Sequence, residues 1–374
     1  MLNGKKIIFA AGGTGGHINP ALAVAGEVRR QYPDCQILFI GTPDRMEATL
    51  VPAAGYDFAT IQISGFDRTL NLNGLKRNVK TVSQLLTSAL NARKIIKQFA
   101  PDAVIGFGGY VSGPVVREAA KLGIPTALHE QNAFPGVTNK ALAKMVDVVM
   151  LTAQQAAEHM QPKNPPIVTG LPIRNELLTA DRDVCRAELG LGDEPMILSM
   201  GGSLGAKAIN ETMLEVIANR WQKKDCVFMH ATGKGYPDFS DRLAEKGVDV
   251  NDRHVIIREY IDDMERCLPA ADLVICRAGA SSLSEFQALG KPSILIPYPF
   301  AAEDHQYHNA KALADNGAAI LIREDDLSPA ALMQHLDTLL ASPGKLQKMG
   351  RNAARMAVTD APRRIVEALD NIAK

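Results

Sequence analysis

The chain lacks the features that mark several large classes of protein. Its five cysteines are odd in number and scattered, with neither a CxxC pair nor a metal-ligand spacing, so we expect reduced core thiols in a cytoplasmic protein. No run approaches the ~20 apolar residues needed to span a bilayer, and the first residues predict a β-strand rather than a signal peptide. The 41 basic and 41 acidic side chains cancel, so nothing global points to nucleic acid. An anionic partner must therefore be bound by local geometry, and contact with a membrane surface stays open.

What the chain does contain is a repeated pattern of short apolar runs, glycine-rich turns and helical stretches. With 374 residues, 46% of them hydrophobic, it is long enough for two globular domains. Continuous apolar runs are typical of parallel strands covered by helices on both faces. The predicted strands are 7–11, 37–40, 103–106, 126–128 and 148–151, then 196–200, 227–230, 255–258, 273–276, 293–296 and 319–322. The helices predicted in the first half are 20–30, 75–99, 114–122 and 137–144, with Pro20 in a first turn and Gly123 as a stop.

A change of composition at residues 161–172 divides this pattern into two halves. The segment QPKNPPIVTGLP carries four prolines and a glycine, which is typical of an interdomain hinge. After it the pattern restarts, and both halves open with a strand followed by glycines, GGTGG at 12–16 and GGSLG at 201–205. We therefore predict an α/β protein of two doubly wound parallel-sheet domains, residues 1–165 and 166–357. A C-terminal helix at about 358–374 is a candidate to pack back on the first.

The two glycine segments are named here glycine loop 1 (12–16) and glycine loop 2 (201–205). A strand–glycine loop–helix presents backbone N–H groups and the positive end of a helix dipole, which suits a phosphate. The dinucleotide fingerprint fails because Ile18 stands where its last glycine should be, and no P-loop lysine follows either loop. A plain βα turn is the alternative for either loop alone. Two matching loops, each with a hydroxyl residue (Thr14, Ser203), favour a phosphorylated ligand other than NAD or ATP in their usual modes.

Polar side chains also follow other strands and should gather at the carboxyl edges of the sheets. In the second half, RAGASSLSE at 277–285 and EDHQYHN at 303–309 are either polar helix starts or sugar-binding segments. Asp181-Arg182-Asp183 matches a metal-binding DxD triplet, but it lies where a helix should begin, so we predict N-capping and no bound metal. In the first half the segments 108–114 and 129–132 supply, with glycine loop 1, a cluster that predicts a site: His17, Tyr110, Ser112, His129, Glu130 and Asn132.

In this order, the motifs resemble those of the MurG family of bacterial glycosyltransferases. The resemblance runs from the first strand to about the last helix and rests on 12–17 with Asn19 and Pro20, 108–114, 129–132, 201–206, 277–285 and 304–309. It implies a GT-B fold, with two Rossmann-like domains facing across a cleft. It also implies inverting transfer of N-acetylglucosamine from UDP-N-acetylglucosamine to the C4 hydroxyl of the muramyl sugar of lipid I (undecaprenyl-pyrophosphoryl-MurNAc-pentapeptide), forming lipid II for peptidoglycan.

The partners implied by this resemblance are UDP-N-acetylglucosamine as co-substrate, lipid I, an anionic membrane surface and other cell-wall synthesis proteins. No tightly bound cofactor is implied, and the enzyme is expected to be peripheral on the cytoplasmic face of the cell membrane. The candidate docking stretch is 72–97, where an apolar stripe has basic residues at both ends. A stripe at that spacing fits packing against the sheet equally well.

The resemblance also implies roles for single residues. Asn132 is expected to reach the donor sugar, Glu285 to hold the ribose and Gln306 to hold sugar hydroxyls. In the family a second glutamine often precedes Gln306, and His305 stands there in this chain, so its role stays open. The other expected donor contacts are Thr14, Gly15 and Gly16 near the diphosphate and acceptor, Arg174 and Ser203 on the nucleotide and its phosphates, the backbone of Ile261 on uracil, and Ala280, Ser281, Ser282, Leu283 and Ser284 lining the pocket.

An inverting transfer needs a base for the attacking hydroxyl and stabilisation of the leaving UDP, which helix N-termini and Arg174 can supply without metal. His17 is the first candidate for the base, because imidazole titrates near neutral pH, and Glu130 is the second. Tyr110, Ser112 and His129 are the acceptor-binding candidates. Two other functions fit the same architecture: a UDP-N-acetylglucosamine 2-epimerase, and a UDP-sugar-binding subunit without turnover.

Overall fold

The computed structural model describes residues 2–63 and 87–373, which form two compact units. Unit 1 extends to Pro172 and includes the C-terminal segment from Asp360, and unit 2 is Ile173–Thr359. The roles predicted for the two halves, acceptor and membrane binding for the first and donor binding for the second, stay predictions.

Each unit is built on one parallel sheet. The strands of unit 1 are β1 (Lys6–Ala10), β2 (Gln36–Gly41), β3 (Asp57–Thr60), β4 (Ala103–Gly106), β5 (Thr126–Glu130), β6 (Val148–Leu151) and β7 (Ile167–Val168). Those of unit 2 are β8 (Met196–Met200), β9 (Val227–Ala231), β10 (Val255–Arg258), β11 (Leu273–Cys276), β12 (Ser293–Leu295) and β13 (Ala319–Leu321). The sheet orders are β3-β2-β1-β4-β5-β6-β7 and β10-β9-β8-β11-β12-β13. In both sheets the order in which successive strands are added reverses beside the first strand. This confirms the predicted pair of doubly wound α/β domains.

Helices connect these strands and cover the sheets. They are α1 (Gly15–Gln31), α2 (Glu47–Ala53), α3 (described over 87–99), α4 (Gly109–Lys121), α5 (Val137–Ala143), α6 (Asn175–Leu178), α7 (Arg182–Glu188), α8 (Lys207–Arg220), α9 (Phe239–Glu245), α10 (Met264–Ala270), α11 (Ala280–Ala288), α12 (His305–Asp315), α13 (Pro329–Leu340), α14 (Pro343–Arg355) and α15 (Ala361–Ile372). Within the described ranges, no helix combines the length and apolar character that crossing a bilayer requires.

The first strand shows why these apolar runs are buried on both sides. Ile7 and Phe9 point into one core cluster, which includes residues of α1 and α15, whereas Ile8 and Ala10 point into the other, which includes residues of α3, α4 and α5. Alternate residues of a strand face opposite sides of its sheet, so a strand covered on both sides must be apolar throughout. The C-terminal helix α15 therefore completes the core of unit 1.

The starts of two helices differ from the prediction. Helices α1 and α4 begin at Gly15 and Gly109, so Pro20 and Pro114 are interior residues, and the expectation that Pro20 belongs to a first turn was wrong. A proline signals a helix start from sequence alone, yet an interior proline is tolerated where the helix can lose one hydrogen bond. His17 and Tyr110 consequently lie on the first turns of helices rather than in loops.

Other local expectations are confirmed. Gly123 ends α4 with a φ of +74°, a conformation that glycine adopts without strain. The Asp181 side chain caps α7 by accepting from the backbone N–H groups of Asp183 and Val184 at 2.9 and 3.0 Å. All five cysteines are free thiols, four of them buried.

Of the helix predicted at 75–99 and the docking stretch at 72–97, the residues up to 86 lie outside the described ones.

Candidate functional site

Glycine loop 1 connects β1 to α1 at the carboxyl edge of the unit 1 sheet, where the strand order reverses. Gly13 has a φ of +90°, and the exposed Thr14 occupies the N-cap position of α1. Gly15 and Gly16 then open the helix, and the half-buried His17 follows on its first turn. In open α/β sheets ligands bind at this position, so the loop is the natural centre of a site in unit 1.

The imidazole of His17 is held against the backbone of this loop. Its Nδ1 lies 3.2 Å from the carbonyl oxygen of Gly12 and 3.3 Å from the hydroxyl of Thr14. A carbonyl oxygen only accepts hydrogen bonds, so Nδ1 carries the proton in the neutral ring and Nε2 is the basic nitrogen. The other side of the ring faces Gly108, where a Cβ would lie 2.9 Å from Nε2. Gly108, with a φ of +99°, thereby leaves room for the imidazole.

A carboxylate that the sequence analysis did not single out lies beneath the same loop. Glu47 is fully buried, and it accepts from the N–H of Gly13 at 3.1 Å and from the N–H and hydroxyl of Thr42 at 3.0 and 2.7 Å. Because Glu47 stands in the first turn of α2, its sequence context is that of a residue stabilising a helix dipole. A buried negative charge that already binds a loop N–H disfavours a phosphate at glycine loop 1.

Two acceptor-binding candidates belong to the core of unit 1. Ser112 is completely buried, and its hydroxyl oxygen lies 2.8 and 2.7 Å from the carbonyl oxygens of Ala10 and Gly108, one of which accepts its proton. His129 is also fully buried, with Nε2 donating to Gly170 O at 2.8 Å, and burial lowers the pKa of its ring to about 4. Neither side chain has exposed surface in this structure, and the predicted acceptor-binding roles of both residues stay predictions. Tyr110, by contrast, is 56% exposed at the start of α4.

Glu130, the second candidate for the base, is buried as well. Its carboxylate accepts from the N–H and side-chain amide of Asn132 at 2.9 and 3.1 Å, from the N–H of Gly136 and from the amide of Asn139. Burial raises the pKa of this carboxyl and the four donors oppose the rise. In this structure Glu130 orients the half-buried Asn132 and holds the turn that follows β5, and its role as the base stays a prediction.

In unit 2, glycine loop 2 and the start of α8 line a cavity of about 510 Å³. Ser282 and Gln306 are the predicted residues that line it, beside the glycines of the loop. The exposed Lys207, the first residue of α8, lines it too and was missed, because one lysine after a glycine run carries no signal of its own. Loop N–H groups, a helix N-terminus and a cation together suit a diphosphate. Further lining residues that the predicted site set omitted are Cys276, Arg277, Tyr298 and Glu324.

The side-chain oxygen of Gln306 is already engaged within unit 2. It accepts from the backbone N–H of Ala278 at 3.2 Å and from that of Tyr298 at 3.0 Å. The side-chain NH₂ is consequently the group that Gln306 can turn toward a ligand hydroxyl. Its neighbour His305 binds back to the Ala302 carbonyl at 2.7 Å, which favours a local structural role.

Arg174 and Glu285 form an ion pair in unit 2, with Arg174 Nε donating to the carboxylate at 2.9 Å. The Glu285 side chain is 16% exposed, and burial raises its pKa while Arg174 opposes that rise. Neither residue lines the cavity beside glycine loop 2, and the predicted contact of Arg174 with the nucleotide and its phosphates stays a prediction.

The remaining donor candidates differ in how far they reach the surface. Ser203 is exposed on glycine loop 2, and Ala280 and Ser281 are half-buried at the start of α11. The side chain of Ile261 is buried, which leaves its backbone as the predicted contact. Leu283 belongs to the core of unit 2 and Ser284 is buried beside it, so both side chains pack α11, and their expected role in lining the pocket stays a prediction.

Known proteins share both units. Residues 7–151 match the glycosyltransferase family 28 N-terminal domain, and residues 196–365 match the family 28 C-terminal domain. A relative from Acetivibrio thermocellus is 43% identical over 370 residues, which are 99% of this chain and 98% of the relative. Its name is UDP-N-acetylglucosamine–N-acetylmuramyl-(pentapeptide) pyrophosphoryl-undecaprenol N-acetylglucosamine transferase.

Solved structures agree with these matches. MurG of Acinetobacter baumannii is 33% identical and superposes with a TM-score of 0.80 over 98% of this chain and 99% of that one. A UDP-N-acetylglucosamine 2-epimerase superposes with a TM-score of 0.67 over 99% and 96% of the two chains, but it is only 15% identical and so shows a shared fold alone. The two parallel-sheet units are thus those of a GT-B glycosyltransferase.

Proposed function

Because the chain belongs to the UDP-N-acetylglucosamine–N-acetylmuramyl-(pentapeptide) pyrophosphoryl-undecaprenol N-acetylglucosamine transferases, we propose that it converts lipid I to lipid II for peptidoglycan synthesis. N-acetylglucosamine passes from UDP-N-acetylglucosamine, a co-substrate, to the C4 hydroxyl of the muramyl sugar, with inversion at the anomeric carbon. The observation that carries this proposal is the 43% identity over 99% of the chain to a relative of that name.

The donor diphosphate is assigned to the cavity beside glycine loop 2. Backbone N–H groups of the loop, the positive end of α8 and the ammonium of Lys207 stabilise the charge that builds up on UDP as the sugar leaves. Ser203 lies on the same loop, and the NH₂ of Gln306 faces the sugar hydroxyls.

The nucleoside of the donor is assigned to the part of α11 around Glu285, one helical turn beyond Ser282, which lines the cavity. Glu285 accepts the two ribose hydroxyls while Arg174 holds its carboxylate, and the backbone of Ile261 meets uracil. Ala280, Ser281 and Ser282 bring small side chains to the start of α11, where a nucleotide approaches the backbone closely.

The acceptor is assigned to glycine loop 1. In the tautomer with Nδ1 bonded to Gly12 O, Nε2 of His17 takes the proton of the C4 hydroxyl as its oxygen attacks the anomeric carbon. Thr14, Gly15 and Gly16 face the acceptor rather than the donor diphosphate, because the buried Glu47 disfavours an anion there. The exposed Tyr110 offers a second acceptor contact, and Asn132, oriented by Glu130, reaches the donor sugar.

A lipid-linked acceptor brings the enzyme to the cytoplasmic face of the membrane as a peripheral protein. Anionic lipid is the proposed surface, 72–97 the proposed stretch, and other cell-wall synthesis proteins are proposed neighbours there. Each basic residue near such a surface contributes about 1 kcal/mol. Changing Lys76, Arg77 and Lys80 together to glutamate is expected to abolish sedimentation with cardiolipin-rich vesicles while UDP binding stays unchanged. Undiminished sedimentation of the triple variant would show that the docking surface lies elsewhere.

The transfer is tested by incubating the purified chain with labelled UDP-N-acetylglucosamine, with and without a lipid I analogue. We expect a labelled lipid-linked disaccharide only when the acceptor is present. Conversion of the donor alone to UDP-N-acetylmannosamine would indicate the 2-epimerase instead, and absence of turnover in both mixtures would indicate a binding subunit.

A further inference from the structure

Glu47 and His17 bind opposite ends of the same peptide group. The N–H of Gly13 donates to Glu47 Oε2 at 3.1 Å, and the carbonyl oxygen of Gly12, which belongs to that same peptide, lies 3.2 Å from His17 Nδ1. The order of groups is therefore carboxylate, peptide N–H, peptide C=O and imidazole Nδ1–H. Hydrogen bonds that share a peptide polarise one another in the same direction, so each strengthens the other.

The surroundings of Glu47 are built to hold its carboxylate at this peptide. A Cβ at Gly12 would lie 2.5 Å from Glu47 Oε1, and a Cβ at Gly41 would lie 2.6 Å from Glu47 Cγ. Only glycine at these two positions allows the close approach. The N–H and hydroxyl of Thr42 both donate to Oε1, and the N–H of Gly13 donates to Oε2. These three hydrogen bonds fix the rotation of the carboxylate.

We propose that Glu47 is a positioning residue for the transfer reaction, acting on His17 through the peptide that joins Gly12 to Gly13. The inference rests on the proposed function, in which His17 is the base. By drawing on the peptide N–H, Glu47 makes the Gly12 carbonyl a stronger acceptor for Nδ1–H. This holds the ring in one tautomer and one orientation and keeps the basic lone pair on Nε2. Glu47 touches neither substrate, and no proton passes through the peptide.

The alternative is that Glu47 merely ties the loop after β2 to glycine loop 1. A double-mutant cycle separates the two readings, because residues that act as a unit give non-additive losses. The variants are Glu47→Gln, His17→Ala and both together. Glu118→Gln is the matched control, since Glu118 is a buried carboxylate of unit 1 that pairs with Lys121 and Arg93 away from glycine loop 1.

For Glu47→Gln we expect kcat for disaccharide formation to fall about 10- to 100-fold, by analogy with the loss of hydrogen-bonding partners of metal-ligating histidines. The KM for UDP-N-acetylglucosamine and the calorimetric affinity for UDP should stay within about twofold, because the donor is assigned to unit 2. In the His17→Ala background the same change should alter kcat less than about twofold. Glu118→Gln should keep kcat. An equal loss in both backgrounds, or no loss from Glu47→Gln or His17→Ala alone, would overturn the proposal.

A second measurement needs no Glu47 variant and no turnover. In ¹⁵N-histidine-labelled wild type near neutral pH, the ring of His17, assigned by comparison with His17→Ala, should show the Nδ1–H tautomer. The Nε2–H tautomer would contradict the relay even if Glu47→Gln fails to fold. If the wild type makes no lipid-linked disaccharide, the proposed function fails, whereas the tautomer still tests the hydrogen bond from His17 to the Gly12 carbonyl, on which the effect of Glu47 depends.

Discussion

The ion pair between Arg174 and Glu285 makes donor recognition open to a quantitative test. Within the described residues, no donor other than Arg174 contacts the Glu285 carboxylate, so it keeps accepting capacity for two ribose hydroxyls. Hydrogen bonds to a charged group contribute about 1.5–3 kcal/mol each, or roughly 3–6 kcal/mol for two. The ion pair with the half-exposed Arg174 is worth at most about 1 kcal/mol, and it competes with the ribose for the carboxylate. Desolvation of the carboxylate on UDP binding lowers the net binding free energy further. We therefore expect Glu285→Ala to cost about 2–4 kcal/mol of UDP binding.

Isothermal titration calorimetry with UDP measures this loss as a Kd about 30- to 700-fold higher. The control ligand is 2′,3′-dideoxy-UDP, which wild type and Glu285→Ala should bind with equal affinity because neither complex contains the hydroxyl contacts. Equal affinity of the two proteins for UDP itself would refute the assignment of Glu285 to the ribose.

The charge on Glu285 adds a pH dependence whose direction the structure gives. Burial raises the pKa of Glu285 and Arg174 opposes that rise. Protonation removes the charge from the acceptor, so UDP affinity should fall as the pH is lowered through the raised pKa. Arg174→Ala removes the opposing effect, so in this variant the fall should begin at a higher pH than in wild type. A pH profile of UDP binding that is identical in the two proteins would contradict this account.

Three further predictions concern the base, the cavity and the core. His17→Ala should lower kcat by about 10²–10⁴, the usual contribution of a general base, with UDP affinity unchanged by calorimetry. Gly205 has a φ of +79°, and a Cβ there would lie 2.1 Å from the carbonyl oxygen of Thr232, so Gly205→Ala should destabilise unit 2 by about 2–4 kcal/mol in urea unfolding. The pKa of His129 is about 4 in the folded chain against an ordinary 6.5, so the unfolded chain binds the extra proton between these values. Stability present above pH 6.5 is thus lost as the pH falls to 4, by about 3 kcal/mol, and His129→Gln should lose correspondingly less over that range.

The alternation of fold elements was predictable because it depends on local composition. Buried parallel strands are continuous apolar runs, and the predicted strands agree with the observed ones within about two residues at each end. The missed strands are β3, which is partly exposed, and β7, which has two residues. Neither contains a buried run that would stand out from a loop.

The site was predictable only at the level of its segments. Motifs placed the glycine loops at the edges of the sheets, but they could not separate the exposed Tyr110 from the buried Ser112, two residues along the same helix. His129 and Glu130 lie on a strand whose neighbours on both sides bury it, and burial of this kind depends on the tertiary fold.

Residues remote in sequence account for what was missed. Glu47 is 34 positions from Gly13, and its role follows from the packing of α2 against glycine loop 1. Lys207 and Glu324 likewise meet in one cavity because β8 and β13 belong to one sheet. The spacing of these residues along the chain does not indicate that they make contact in the fold.

The proposed reaction transfers N-acetylglucosamine to the C4 hydroxyl of the muramyl sugar with inversion. Nuclear magnetic resonance of the purified product, formed from UDP-N-acetylglucosamine and a lipid I analogue, tests it most directly. We expect one β-linked N-acetylglucosamine on the C4 oxygen of the muramyl sugar and one UDP released per disaccharide. An α-linkage, attachment at another hydroxyl, or UDP released without a disaccharide would contradict it.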